Sequence, residues 1–218
     1  MEKKAEIKTK NSLRGLYAIT DERLTPYSSI ISYVKKALQG GAKIIQLRDK
    51  SKSDDELLFV AQAIKELCDS FGAFFIVNDR VDLAISSGAD GVHIGKDDES
   101  ITAARLLLGP EKIIGVSCYN DLERALFMED AGADYVAFGS FFPSPTKPDA
   151  VRATVELLEK AKKELSIPIC AIGGITLKNA FSLIRAGADM VAVISDLWRP
   201  EDKDIVKRAS AFSRLFIS

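Results

Sequence analysis

Gln46, Arg48 and Lys50 alternate along the end of the apolar run Ile44-Ile45-Gln46-Leu47. In an extended strand alternate residues share a face, and two cations on one face repel each other unless a negative group lies between them. A diphosphate is one such group; neighbouring carboxylates are the alternative. Asn78-Asp79 closes a second apolar run, Phe74-Phe75-Ile76-Val77, and Lys96-Asp97-Asp98 follows a third, Val92-His93-Ile94. If these runs are adjacent strands, Asp79 and Asp98 approach one another. Two carboxylates beside a polyphosphate make a natural Mg²⁺ site, because that ion takes one or two carboxylates plus phosphate oxygens and water. Helix N-capping is the other use of such aspartates. Gly173-Gly174 and Ile194-Ser195 end two further runs, where bare backbone N–H groups suit a phosphate; a simple tight turn also needs such glycines. Ser144-Pro145-Thr146-Lys147 offers two hydroxyls and an ammonium for a second anion contact.

These residues need elements to bring them together, and an internal echo supplies those elements. Gly-Ala followed by a short β-type run recurs at Gly41, Gly88, Gly132 and Gly187, roughly 50 residues apart, which suits two βα units per repeat. The intervening strands are Gly15 to Thr20, Ala73 to Val77, Ile113 to Ser117 and Ile169 to Ile172. Helical spacing fills the gaps, as in Asp54 to Phe71 and Thr154 to Leu165. Eight strands alternating with about eight helices call for an all-parallel sheet, and the regular repeat favours closure into a single-domain (β/α)8 TIM barrel. In that fold the loops after the strands carry function. Every residue singled out above falls there, as does Ser117 at the end of the fifth strand.

The composition narrows the class. The 218 residues suit one large domain or two small ones, and the barrel takes up residues 13–218, leaving residues 1–12 as a charged, solvated tail. Thirty basic side chains against 31 acidic ones give no field to draw the chain onto nucleic acid or an anionic membrane. No apolar run is long enough to span a bilayer, and the start resembles no secretory signal. Cys68, Cys118 and Cys170 lie far apart, as expected of reduced, buried thiols in a cytoplasmic protein. His93 is the sole histidine, which argues against a Ser-His-Asp triad or a multi-histidine zinc site; it reads as a hydrogen-bonded structural residue. The spacing leaves the oligomeric state open.

Taken in order, Tyr17-Ala18-Ile19-Thr20-Asp21, Gln46-Leu47-Arg48-Asp49-Lys50, Asn78-Asp79-Arg80-Val81-Asp82, Gly88-Ala89-Asp90-Gly91-Val92-His93-Ile94-Gly95, Phe141-Phe142-Pro143-Ser144-Pro145-Thr146-Lys147 and Ala171-Ile172-Gly173-Gly174-Ile175 resemble the thiamine phosphate synthase family from about Leu13 to Phe216. The resemblance implies a transferase that joins 4-amino-2-methyl-5-hydroxymethylpyrimidine diphosphate to 4-methyl-5-(2-phosphonooxyethyl)thiazole, or its carboxylated form, releasing pyrophosphate. It implies that Gln46, Arg48, Lys50 and Asn78 bind the pyrimidine diphosphate, that Asp79 and Asp98 hold Mg²⁺, and that Ser117 lies near the reacting pyrimidine. Ser144, Thr146 and Lys147 would reach phosphate oxygens, with Lys147 on the leaving diphosphate, and Gly174, Ile194 and Ser195 would bind the thiazole phosphate. Ser144 stands where the family more often has Thr, Lys96 replaces a frequent Gln, and Ser140 is unusual in its turn. Two rival expectations are a thiazole tautomerase relative, which needs a base that Ser117 does not supply, and a non-catalytic barrel that binds a thiamine precursor.

Overall fold

The computed structural model describes residues 9–95, 100–143, 151–198 and 204–217. Eight parallel strands close in sequence order: β1 Gly15–Ile19, β2 Ile44–Leu47, β3 Phe74–Asn78, β4 Gly91–Ile94, β5 Ile113–Tyr119, β6 Tyr135–Phe138, β7 Ile169–Ile172 and β8 Met190–Val193, with β8 pairing back onto β1. Helices α1 Ile30–Gln39, α2 Asp54–Phe71, α3 Val81–Ser86, α4 Ile101–Leu108, α5 Leu122–Asp130, α6 Val155–Glu164 and α7 Ala180–Arg185 join consecutive strands; α8 Ser195–Trp198 and α9 Ile205–Arg214 follow β8. This is the (β/α)8 barrel expected from the echo.

Local chemistry accounts for the boundaries. In α2, Ser53 and Glu56 form a capping box, three acidic residues fill the first turn, and Gly72 ends the helix in the left-handed region at φ 64°. Thr154 and Leu165, read from the sequence as the ends of a helix, are the caps of α6. The fifth strand runs two residues beyond Ser117, because its register against β6 shifts between Ser117 and Tyr119. Tyr119 takes up that irregularity in a left-handed conformation, φ 56°.

Strand alternation sorts the core into two clusters. Leu13, Tyr17, Ile19, Ile44, Phe74, Ile76, Ile113, Tyr135, Ala137, Cys170, Met190 and Ala192 fill the barrel interior, while the opposite faces of the strands pack against the helices. Large and small residues interlock: a Cβ on Gly115 would come within 1.9 Å of the Tyr135 ring. Gly115 is what lets that ring lie across the barrel. Residues 9–12, assigned above to the tail, include a 3-10 turn at Lys10–Ser12, and the Lys10 ammonium reaches Pro110 O at 2.6 Å and Asp134 at 2.9 Å.

The third residue of the echo has a defined task. Asp90, Asp134 and Asp189 each precede an even-numbered strand, and each carboxylate accepts from a backbone N–H near the start of the strand before it. The donors are Phe75 at 2.8 Å, Ile114 at 2.8 Å and Ile169 at 3.0 Å. Each also meets a cation from the helix that precedes that odd-numbered strand: Lys65 of α2 at 3.5 Å, Arg105 of α4 at 2.6 Å and Lys162 of α6 at 2.8 Å. The first repeat has Lys43 in this position, and there the backbone bonds Lys43 N to Leu16 O and Phe74 N to Lys43 O remain without a carboxylate. Replacing Asp134 with Ala strips the Ile114 amide and two cations of a shared acceptor. It should lower unfolding free energy by about 2–3 kcal/mol in urea denaturation, with Asp134→Asn recovering part of the loss; an unchanged midpoint in both variants would refute the role.

Candidate active site

The β2 end of the mouth is built on a buried threonine. Thr20, 1% exposed, accepts from Arg48 N at 2.9 Å and donates to Arg48 O at 3.3 Å, fixing the loop after β2 to the end of β1. Asp49 then turns the chain by accepting from Ser51 N, Ser51 Oγ and Lys52 N. Partial burial alone would raise the Asp49 carboxyl, but those bonds and the Arg80 charge outweigh it and hold it below its usual range. Arg80 donates to Asp49 O at 2.9 Å and to Asp54 at 2.7 Å, locking the loops after β2 and β3 together.

Within this frame, Gln46 faces the barrel interior and is buried, Arg48 lies 3.6 Å from Glu22, and the largely exposed Lys50 lies 3.6 Å from Asp79. The alternative of carboxylate pairing is thus realised for both cations. Neither pair is close enough for a hydrogen bond, so each cation keeps donors for another anion.

Asn78 and His93 are register partners on the adjacent strands β3 and β4, and Asp79 N donates to His93 O at 2.8 Å. Asp79 has a left-handed backbone, φ 63°, uncommon outside glycine and concentrated at functional sites. The N-cap position of α3 is Arg80, whose side chain makes no capping hydrogen bond. Asp98 and Lys96 lie outside the described residues, as do Ser144, Thr146 and Lys147. Among the described residues no three His, Cys, Asp or Glu side chains gather into a metal cage. The Asp79 carboxylate at the mouth, with the Asn78 carboxamide beside it in sequence, is a hard oxygen donor of the type that would suit Mg²⁺ completed by substrate oxygens.

Five side chains from five strands form a hydrogen-bonded chain across the interior. Gln46 Nε2 donates to Tyr17 OH at 2.7 Å, and the Tyr17 and Tyr135 hydroxyls are 2.8 Å apart. Tyr135 OH lies 2.9 Å from His93 Nδ1, and His93 Nε2 lies 2.9 Å from Ser117 Oγ. The Tyr135 ring meets Tyr17 edge-on and stacks near His93. Burial pushes both phenols well above the ordinary tyrosine range, so both remain neutral donors. Arg124 Nε donates to Ser117 O at 3.1 Å, holding the backbone at the same point. His93 is hydrogen-bonded through both ring nitrogens. Reading along the sequence passed over Tyr17 and Tyr135 as site residues. The available signal was a phenol in an inward-facing apolar run, since a buried tyrosine hydroxyl needs a partner.

Across the mouth, Gly173 and Gly174 adopt φ 103° and 62°. A Cβ on Gly173 would come within 2.1 Å of Ser140 Oγ, and one on Gly174 within 2.5 Å of Pro143 O. Both glycines are therefore required for the β7 loop to pack against the β6 loop. Ser140 sits in that contact, with its hydroxyl donating to Phe142 O at 2.9 Å. Asn179 donates to Gly174 O at 3.1 Å, and Asp196 accepts from Leu177 N at 3.1 Å while pairing with Arg208 at 2.7 Å. Ser195 opens α8, and Ile194 O accepts from Leu197 and Trp198 N–H groups. Trp198 Nε1 donates to Ile19 O at 2.6 Å, tying α8 to β1. Gly174, Ile194 and Ser195 thus lie on two loops joined by Asp196.

A family model described as thiamine monophosphate synthase matches residues 16–197. The chain belongs to the thiamine monophosphate synthase family. It is 50% identical over 208 residues to a thiamine-phosphate synthase of Nitrosococcus oceani, covering 95% of each chain. A relative of the same name from Methylobacillus flagellatus is 51% identical over 204 residues, 94% of this chain and 96% of the relative. A solved thiamine phosphate pyrophosphorylase from Pyrococcus furiosus superposes with a TM-score of 0.84 at 38% identity, covering 95% of this chain and 97% of that one. Similarity extends over nearly the whole barrel, so the rims described above lie inside the shared region.

The Thr20 contact generates a prediction independent of substrate. Thr20→Val keeps the shape and removes the hydroxyl that bonds both backbone groups of Arg48. It should cost about 1–2 kcal/mol of stability and speed exchange of the Arg48 amide about tenfold or more; unchanged exchange by NMR would disprove the anchoring.

Proposed function

We propose that the chain is a thiamine phosphate synthase that condenses 4-amino-2-methyl-5-hydroxymethylpyrimidine diphosphate with 4-methyl-5-(2-phosphonooxyethyl)thiazole, or with its carboxylated form with loss of CO₂, to thiamine phosphate and pyrophosphate. The single observation that carries the reading is the gathering of Arg48, Lys50 and Asp79 at the ends of β2 and β3, on the same mouth as the Gly173-Gly174 and Ile194-Ser195 loops at the ends of β7 and β8. That arrangement offers one region for a diphosphate and another for a monophosphate within a family whose members carry this activity by name.

In this reading Gln46, Arg48, Lys50 and Asn78 hold the pyrimidine diphosphate, with Ser144, Thr146 and Lys147 on its phosphate oxygens. Gly174, Ile194 and Ser195 bind the thiazole phosphate through backbone N–H groups and a hydroxyl. The bond to the diphosphate breaks first, because the carbon it leaves is attached to an electron-rich aminopyrimidine that stabilises the cation. Arg48, Lys50 and Lys147 neutralise the charge that grows on the departing oxygens. Asp79 and Asp98 would hold Mg²⁺, which would supply Lewis-acid neutralisation of the leaving group's charge. The thiazole nitrogen then attacks the cation, a step that needs positioning and no protein base. His93, already hydrogen-bonded on both nitrogens, is not required as one. The free, buried thiols of Cys68, Cys118 and Cys170 suit a reducing compartment such as the cytoplasm.

Incubation with both substrates and Mg²⁺ should yield thiamine phosphate and an equal amount of pyrophosphate, with none formed when either substrate or Mg²⁺ is omitted. Failure to form product under those conditions would overturn the reading, and proton exchange into a thiazole carboxylate phosphate alone would favour the tautomerase relative. Lys147→Ala should lower turnover about a hundredfold or more with an unchanged circular dichroism spectrum; near-normal turnover would remove Lys147 from the mechanism. Asp79→Asn should shift the Mg²⁺ dependence of the rate about tenfold or more to higher concentration, and an unshifted curve would exclude it as a ligand.

A further inference from the structure

The chain from Gln46 to Ser117 has a direction. Gln46 Nε2 donates to Tyr17, so that hydroxyl has already accepted one hydrogen bond. Its own proton can go only to Tyr135, the remaining hydrogen-bond partner of Tyr17 among the described residues. Tyr135 then donates to His93 Nδ1, and the proton on His93 Nε2 is donated to Ser117 Oγ. In the opposite order Tyr17 would accept from both neighbours, and its own proton would point into the apolar interior without an acceptor. The favoured order leaves Ser117 accepting from His93 with its own hydroxyl proton free. From the structure we infer that Tyr135 and His93 are positioning residues. Through this directed chain they hold the Ser117 hydroxyl as a donor toward an acceptor atom of the bound aminopyrimidine.

Three observations support a built device over incidental packing. Gly115 has no side chain, and any Cβ there would collide with the Tyr135 ring, so the sequence makes room for a phenol that crosses the barrel. Burial keeps both phenols neutral, which preserves each as donor and acceptor at once. The two ends, Gln46 and Ser117, both sit at the upper ends of strands lining the same mouth. A hydroxyl free to rotate offers donor or acceptor indifferently; one that accepts from a fixed imidazole N–H is committed to donation. The identity of the acceptor rests on the proposed activity, while the direction of the chain rests on the Gln46 carboxamide presenting Nε2, not Oε1, to Tyr17.

Because His93 is the only histidine, the ¹⁵N spectrum of histidine-labelled protein reports this chain through one pair of ring signals. The free protein should show the tautomer protonated at Nε2 and bare at Nδ1. Tyr135→Phe removes the donor to Nδ1 and should mix the tautomers. The same variant should lower kcat for condensation on the order of 10- to 100-fold, with the KM for the thiazole phosphate unchanged within about twofold. His93→Gln retains one acceptor and one donor, whereas His93→Leu retains neither. The glutamine variant should therefore recover about tenfold or more of the activity lost in the leucine variant, which a space-filling role would not produce. If Tyr135→Phe fails to fold by circular dichroism, Tyr17→Phe interrupts the same chain one step earlier and should also mix the tautomers. A wild-type imidazole protonated at Nδ1, or Tyr135→Phe with undiminished kcat, would overturn the inference. Wild-type protein that shows the Nε2 tautomer yet makes no thiamine phosphate would overturn the functional reading and leave the directed chain standing.

Discussion

A closed barrel has no edge, so every inward side chain must satisfy itself within a space a few residues wide. In this molecule that constraint falls hardest on two phenols. Tyr17 and Tyr135 are fully buried, and their hydroxyls have no route to water. Each finds partners in the other and in Gln46 or His93, and the result is a continuous polar thread from β2 to β5. The geometry of the mouth follows from it. Gln46 and Ser117 cannot rotate independently, because each is bonded to the interior below. Gly115 follows from it too, since the Tyr135 ring occupies the space a side chain would need.

The two ends of the barrel divide the charged residues by task. At the N-terminal end Asp90, Asp134 and Asp189 are spent on structure, each bonded to a strand amide and a cation. At the C-terminal end Arg48 and Lys50 hold longer, looser pairs. Tight pairing would compete with a bound anion; loose pairing limits repulsion between the cations while leaving their donors available. The near balance of 30 basic and 31 acidic side chains is thus an average over two differently used rims.

Much of the candidate site was legible because a parallel barrel converts sequence order into spatial order. Once the echo marks the strands, the residue after each strand belongs to the mouth. Gln46, Arg48, Lys50, Asn78, Asp79, Ser117, Gly174, Ile194 and Ser195 could be named on that basis. What the echo's aspartates do was not legible, because their partners, Lys65, Arg105 and Lys162, lie on helices 25 to 29 residues away in sequence. Thr20 was recognisable as a rim residue, but its grip on the Arg48 backbone depends on β1–β2 register. The fifth strand extends two residues past Ser117, and a register shift of that kind leaves no mark in hydrophobic patterning.

The sequence by itself determined the strand count, the parallel closure and which residues follow each strand, because these follow from period, repeat length and chain order. Only the tertiary structure decided which of those residues touch. Tyr17 and Tyr135 are 118 positions apart in the chain; their contact exists because closure brings β1 and β6 to face each other across an interior narrow enough for two rings to span. Hydrogen bonds across that space depend on the tilt and stagger of strands that no local pattern records.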